Sequence, residues 1–208
     1  MTLSPAQTLI YHITDVDNLP GILASGGLRS DVAMANANPV VIGYQHIKQR
    51  RMAEIRVDCC GGRSVGKFVP FYFCPRSPML YTINIGNTGR AAGCQRSIVH
   101  LVSTVAAGIA QNRAWAISDG NAGTFHTSFS ADLAALNGLD WSAIRATQWQ
   151  GKTHQKSAEF LVADFFGWSC VQTVGCYNAD TVQRVQALLA LAGANHRPGV
   201  IIQPNWYY

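Results

Sequence analysis

Glu159 stands directly before an apolar run in the stretch HQKSAEFLV, His154–Val162, with polar and cationic residues just upstream. Only 11 of 208 residues are Asp or Glu, so a carboxylate at the mouth of a buried strand calls for a reason. A carboxylate fixed at the end of a rigid strand, beside a pocket and under a loop, suits the stabilisation of developing positive charge. The plainer reading is a strand-edge carboxylate paired with a nearby Arg. Three other stretches combine reactive or cationic side chains with a constrained backbone. His12 lies inside YHIT, and a Gly/Pro-bounded turn follows whose backbone N–H groups suit an anion such as a pyrophosphate. The alternative there is a satisfied strand histidine. HIKQRRM sets Lys48 and Arg51 three apart on one helix face. That face either is solvated or contacts phosphate, with an Arg against the substrate. FVPFYFCPRSPML runs an apolar strand into Arg76 between two prolines, then Met79. The prolines restrict the backbone around that Arg.

The elements that must position these residues are legible in outline. TLIYHIT, Thr8–Thr14, is β-branched and aromatic and predicts a first strand. A short helix follows, capped by Asp17 or Asn18, with Pro20 in its first turn and Gly26-Gly27 ending it. Residues 28–38 read as a loop with a helical turn. Phe68–Pro75, Ser97–Val105 and Arg113–Ser118 read as strands, and EFLVADFF returns to the core. Asp180–Ala194 has helical apolar spacing, and GVIIQPNWYY closes as an edge strand. The segment 119–156 is rich in Gly, Ser, Thr and Asn and carries Trp141 and Trp149. It reads as a long functional connection, with helix signals only in SADLAAL and LDWSAIR. Strands with interspersed short helices and no regular βαβ alternation predict an α+β fold rather than a doubly wound sheet.

Composition narrows the class further. With 48% hydrophobic and 13% charged residues, the chain is neither disordered nor a charged solenoid, and its length suits one domain, 1–208. The net charge of +5 suits an anionic partner. The start MTLSPAQTLIYHIT has no signal-peptide features, and no run of 18 apolar residues suggests a membrane span. Cys59, Cys60, Cys74, Cys94, Cys170 and Cys176 form no C-x-x-C and no zinc-ligand spacing. They read as core thiols of a cytoplasmic protein, with no metal site expected. Neither a G-x-G-x-x-G nor a P-loop is present.

In order along the chain, YHITDVDNLPGIL, HIKQRR, VPFYFCPRSPMLY, DGNA, KSAEFLV and the ending PNWYY resemble the DarT family, toxins that ADP-ribosylate DNA. The ordered set spans Tyr11 to Tyr208. The resemblance implies an ADP-ribosyltransferase fold related to poly-ADP-ribose polymerases: two facing, mostly antiparallel sheets with an NAD cleft and peripheral helices. It implies Glu159 as the catalytic glutamate and Arg51 as the second catalytic residue. It implies NAD as co-substrate, contacted by His12, Thr14, Asn18, the segment Leu28, Arg29 and Ser30, and Phe71. Single-stranded DNA is the implied acceptor, most often at thymidine. The contacts expected for it are Tyr44, His46, Lys48, Arg76, Met79, Trp149, Lys152, His154 and Lys156, with 119–156 as the substrate-recognition region. A macrodomain antitoxin is the implied partner, and a monomer the expected state. Guanosine in DNA, RNA or protein as acceptor, or a non-catalytic nucleic-acid-binding module, are the competing readings. The polymerase relatives use a Tyr in a His-Tyr-Glu set, for which Tyr72 and Tyr81 both stand as candidates.

Overall fold

The β-branched run around YHIT forms β1 (Leu9–Asp15), the strand on which two halves of the molecule meet. The structure is a computed structural model and describes residues 4–35, 37 and 39–208. After β1 come α1 (Leu19–Ala24), β2 (Gly27–Arg29), α2 (Gln45–Ala53), β3 (Arg56–Val57), β4 (Arg63–Ser64) and β5 (Phe68–Tyr72). The middle of the chain supplies α3 (Pro78–Asn84), β6 (Ile98–Thr104), α4 (Val105–Ile109), β7 (Trp115–Asn121), β8 (Phe129–Ser130), α5 (Trp141–Arg145) and α6 (Thr153–Lys156). The last part gives β9 (Ala158–Ala163), β10 (Phe165–Gly167), β11 (Thr173–Cys176), α7 (Ala179–Leu191) and β12 (Gly199–Ile202).

Eight strands hydrogen-bond in the order β12-β11-β6-β1-β5-β9-β7-β8, and β10-β2 and β3-β4 form two small ribbons. Every pairing in the large sheet is antiparallel except β11 with β12. The order divides at its centre. β1 runs alongside β6 over its full length but meets β5 through the single registered pair Tyr11–Tyr72. The large sheet thus consists of two four-stranded halves joined by that single registered pair. β12 is an edge strand as expected of GVIIQPNWYY, but it stops at Ile202, and Pro204–Trp206 form a 3-10 turn.

Three apolar clusters hold the halves. The main one packs Ile10, Phe71, Leu101, Phe160 and Val162 against Leu19, Phe166, Val185 and Leu189. A second sets Phe68, Leu161 and Ala163 against Ile55, Val57 and Val65, and a third joins Ile13 and Ile98 to Leu80, Ile83 and Tyr207. α2 is seated by a close approach: a Cβ at Gly66 would lie 2.8 Å from the Met52 Cα.

Three local expectations change. Asp15, not Asp17 or Asn18, caps the turn after β1, accepting from the Asp17 N–H at 3.0 Å. Asn18 instead ties the 40s segment down, exchanging two hydrogen bonds with the Val40 backbone (2.8 and 3.0 Å). The segment 28–38 opens with β2, because Leu28 is buried and its strand pairs with β10; residues 36 and 38 lie outside the described residues. The segment 119–156 is better ordered than a loop. β7 continues to Asn121, and the Trp141 indole donates to the Leu136 carbonyl (2.8 Å) and packs edge-on against Phe73. Among the described residues no helix is long and apolar enough to cross a membrane, and all six cysteines are free.

His100 gives this scaffold a pH limit. It is fully buried on β6, and its Nε2 lies 3.0 Å from the Pro75 carbonyl, so Nε2 carries the proton. Nδ1 is buried with no partner among the described residues. Burial pushes its pKa down from 6.5 to about 4, against the smaller upward pull of the Pro75 bond. The unfolded chain therefore binds a proton that the folded protein refuses. Stability from this residue is complete above pH 6.5 and lost as pH falls to about 4, on the order of 3 kcal/mol. Urea titrations between pH 7 and 4 should show that loss in the wild type, and a His100→Gln variant should lack that part of it. Parallel curves for the two proteins would contradict it.

Candidate active site

Residues alternate along β9. Ala158, Phe160 and Val162 enter the main core, whereas Leu161 and Ala163 enter the second cluster, so Glu159 falls on the second face. There it is 1% exposed. A carboxylate taken out of water must be compensated, and two elements do it. Arg51 reaches in from α2: its Nη1 and Nη2 donate to Glu159 Oε1 and Oε2, each at 2.9 Å. Burial alone would lower the Arg51 pKa, but the carboxylate beside it more than reverses this and raises it. The Ala122 N–H donates to Oε1 at 3.1 Å.

That third donor exists because the ladder between β7 and β9 breaks. The register shifts between Ile117 and Asn121. Ser118 Oγ bridges the gap, accepting from the Glu159 N–H at 2.9 Å and donating to the Gly120 carbonyl at 2.7 Å. The irregularity turns the D-G-N-A stretch so that the Ala122 amide meets the carboxylate. Asn121 then fastens the next turn, its side chain accepting from the Gly123 N–H at 2.8 Å.

Tyr72 is registered opposite Glu159 on β5. Burial and then the Glu159 charge raise its pKa, with Arg51 pulling the other way. Of the two tyrosine candidates, Tyr72 is therefore the one beside the carboxylate. Tyr81 lies on α3 in a cluster with Trp149 and Tyr208.

The residues assigned to NAD divide into two sets. His12 and Thr14 are two apart on β1, and the Asn18 amide donates to Thr14 Oγ1 at 3.1 Å. His12 Nδ1 lies 2.8 Å from the Pro70 carbonyl, so Nδ1 carries the proton and Nε2 remains an acceptor. Burial lowers the His12 pKa, and the Pro70 bond and the Asp31 charge oppose it. Asp31 connects this set to the pair: it also raises the Arg51 pKa and forms an ion pair with Lys48 at 3.0 Å. Leu28 and Phe71 are instead core residues, and Phe71 packs on Phe166 at 4.6 Å between ring centres. Ser30 is buried, with its N–H on the Asp164 carbonyl (2.9 Å), while Arg29 is exposed over the Phe165 ring.

The residues assigned to DNA also separate. Tyr44 and His46 lie close together at the head of α2, rings 5.2 Å apart, and Lys48 follows on the same helix. Arg76 lies over the Tyr208 ring at 4.5 Å, and the Tyr208 hydroxyl donates to the Arg76 carbonyl at 2.9 Å. Trp149 meets Tyr81 edge-on, Met79 packs partly buried against the third cluster, and Lys152 is exposed. His154 is half-buried against Gly120, its ring 4.6 Å from that of His126. Burial, then the His126 charge, lowers its pKa.

Lys156 does not belong to a DNA groove. It is 2% exposed, and its ammonium donates to the Ile144 and Ala146 carbonyls at 2.9 and 2.8 Å. The Ala122 amide, Ser118 and Asp31 escaped the sequence reading. The D-G-N-A stretch was the signal available for the first, but a backbone donor leaves no trace in side-chain type.

The family model "ssDNA thymidine ADP-ribosyltransferase, DarT" matches residues 11–208. A Thermus aquaticus protein named DNA ADP-ribosyl transferase is 40% identical over 207 residues, covering 98% of this chain and 90% of that protein. The solved structure of Thermus sp. 2.9 DarT with ADP-ribosylated ssDNA matches at TM-score 0.89 and 36% identity, covering 97% of each chain. The same protein with NAD+ matches at TM-score 0.86 and 35% identity, covering 99% of this chain and 100% of that one. A Thermosipho africanus DNA ADP-ribosyl transferase-DNA ADP-ribosyl glycohydrolase fusion protein is 33% identical over 75 residues, covering 36% of this chain and 19% of the fusion.

The pair should also be measurable in stability. Removing one partner of a buried ion pair leaves the other uncompensated, typically at about 3–5 kcal/mol. Glu159→Gln should lower the free energy of unfolding by about 3 kcal/mol, and Arg51→Met with Glu159→Gln by less than the sum of the two. Denaturant titrations of the three variants check this. Additive losses would show that the two side chains do not stabilise one another.

Proposed function

The chain belongs to the DarT family of ssDNA thymidine ADP-ribosyltransferases, and on that premise we propose that its Arg51–Glu159 centre transfers ADP-ribose from NAD to a thymine ring nitrogen in single-stranded DNA, releasing nicotinamide. The observation that carries this reading is the forked pairing of the β9 carboxylate with an arginine from α2. It sits in a fold shared over nearly the whole chain with an NAD-bound and a DNA-bound relative.

Breaking the bond between the nicotinamide nitrogen and ribose C1′ leaves positive charge on the ribose, as in glycoside cleavage. Nicotinamide departs neutral with the bonding pair, so no acid is required. Glu159 faces the charge and accepts from the ribose 2′-hydroxyl. Its Oε1 already takes Arg51 Nη1 and the Ala122 amide, whereas Oε2 takes only Arg51 Nη2, leaving a lone pair for the substrate. A fixed charge of this kind in a dry site is typically worth about 3–4 kcal/mol. The thymine nitrogen that bonds to C1′ loses its proton. Arg51 remains protonated and is no base; its forked donors orient the thymine and hold its anion, while water or Glu159 takes the proton.

His12, Thr14 and Asn18, with the backbone of 28–30, hold NAD in this reading. Tyr44 just before α2 and His46 and Lys48 on it, with Arg76, Met79, Trp149, Lys152 and His154, hold the strand, the region 119–156 supplying the last three. Basic and aromatic side chains suit backbone phosphates and stacked bases, with stacking worth about 1–3 kcal/mol per base. The protein acts as a single-domain monomer on DNA in the cytoplasm. The glycohydrolase fusion in the Thermosipho relative supports a macrodomain antitoxin that removes the mark.

Incubating the protein with NAD and single-stranded oligonucleotides of varied sequence, read by mass spectrometry, tests the proposal. The expected result is a gain of one ADP-ribose on thymidine, reduced at least about 10²-fold by Glu159→Ala. Modification of guanosine, RNA or protein instead would overturn the acceptor. DNA binding with no modification would make the chain a binding module.

A further inference from the structure

Lys156 is a buried cation that the reaction above does not use. It ends α6, three residues before Glu159, and among the described residues no carboxylate pairs with it. Its ammonium is held by the carbonyls at the end of α5, Ile144 and Ala146, where a lysine satisfies acceptors that the helix leaves open. The Cys74 thiol on the β5–α3 turn donates to the Lys156 carbonyl at 3.9 Å, and burial lowers the Lys156 pKa. The chain between these anchors is closed by its own bonds. The Lys152 N–H donates to the Trp149 carbonyl at 3.0 Å, and the Lys156 N–H to the Lys152 carbonyl at 2.9 Å. Residues 146–156 thus form a loop whose two ends are joined by one side chain. Trp149 stands at its tip against Tyr81, next to the Tyr208–Arg76 stack, and Lys152 is on its exposed side.

We propose that Lys156 is a positioning residue for the DNA acceptor: by stapling Ala146 to the foot of β9 it fixes Trp149 and Lys152 relative to Glu159. The proposal rests on the activity inferred above. The staple joins the acceptor loop to the strand that carries the carboxylate, and among the described residues the Lys156 ammonium makes no hydrogen bond to a residue assigned to NAD. Losing it frees the loop ends, leaves the buried Ile144 and half-buried Ala146 carbonyls without that donor, and lets the Trp149 ring leave its place. The oligonucleotide then loses a pre-formed stacking surface while the NAD pocket is unaltered.

Steady-state kinetics of Lys156→Met with NAD and a thymidine-rich single-stranded oligonucleotide test this. The KM for the oligonucleotide should rise about tenfold, the scale of one lost stacking contact, while the KM for NAD stays within about twofold. Adding Lys156→Met to Trp149→Ala should raise the oligonucleotide KM little beyond Trp149→Ala alone, because both act through one loop. A wild-type oligonucleotide KM in Lys156→Met, or equal rises in both KM values, would overturn the proposal. Should Lys156→Met not fold, Trp149→Ala alone must show the same split, and a wild-type oligonucleotide KM in that variant would overturn it equally. A wild-type protein that modifies no DNA would overturn the underlying activity itself, which separates the two failures.

Discussion

A carboxylate with almost no access to water, at the head of a strand inside a sheet, is tolerable only if the protein surrounds it with donors. Glu159 makes that demand, and much of the surrounding structure answers it. The β7–β9 ladder breaks so that Ser118 takes over a backbone bond and the Ala122 amide turns onto the carboxylate. α2 lies close enough to the 65–67 turn, at the side-chain-free Gly66, for Arg51 to meet both carboxylate oxygens. Asp31 adds negative charge felt by Arg51 and His12 and holds Lys48. One buried charge thus connects β9, the basic helix and the segment after β2.

The same constraint shapes the chemistry. A carboxylate already oriented by three donors needs little reorganisation when positive charge develops on a ribose beside it. In the proposed reaction Arg51, held by the pair, also faces the incoming base, so one interaction would set both donor and acceptor. The single registered pair Tyr11–Tyr72 lies beside it, because Tyr72 is the cross-strand partner of both Tyr11 and Glu159. The junction of the two halves therefore lies next to this carboxylate.

Much of this was readable from residue types. β1, β5, β6 and β9 announce themselves through β-branched and aromatic runs, α7 through its apolar spacing, and Glu159 through the scarcity of acids. Arg51 was readable as a cation on a helix face, but its partner lies more than a hundred residues away, and only the fold joins them. The residues whose burial was not foreseen share one cause. Phe71 and Lys156 sit inside motifs that carry the family resemblance and Leu28 shortly after one, and a motif does not say which way a side chain points. Lys156 looks like a phosphate contact because lysines are mostly exposed. It is buried because the end of α5 leaves two carbonyls in want of a donor. Segment 119–156 was read as loop because its order comes from side-chain-to-backbone bonds, such as Trp141 to Leu136, that have no periodicity.

The central claim is that Glu159 acts on the donor ribose. It is tested most directly by comparing NAD with its nicotinamide-ribose 2′-deoxy analogue, in wild type and in Glu159→Gln. Intrinsic differences between the substrates cancel in the ratio of kcat/KM ratios. If Glu159 holds the 2′-hydroxyl, wild type should favour NAD over the analogue by at least about tenfold more than the variant does, the worth of a hydrogen bond to a charged group. The same preference in both proteins would place Glu159 away from the ribose and contradict the account.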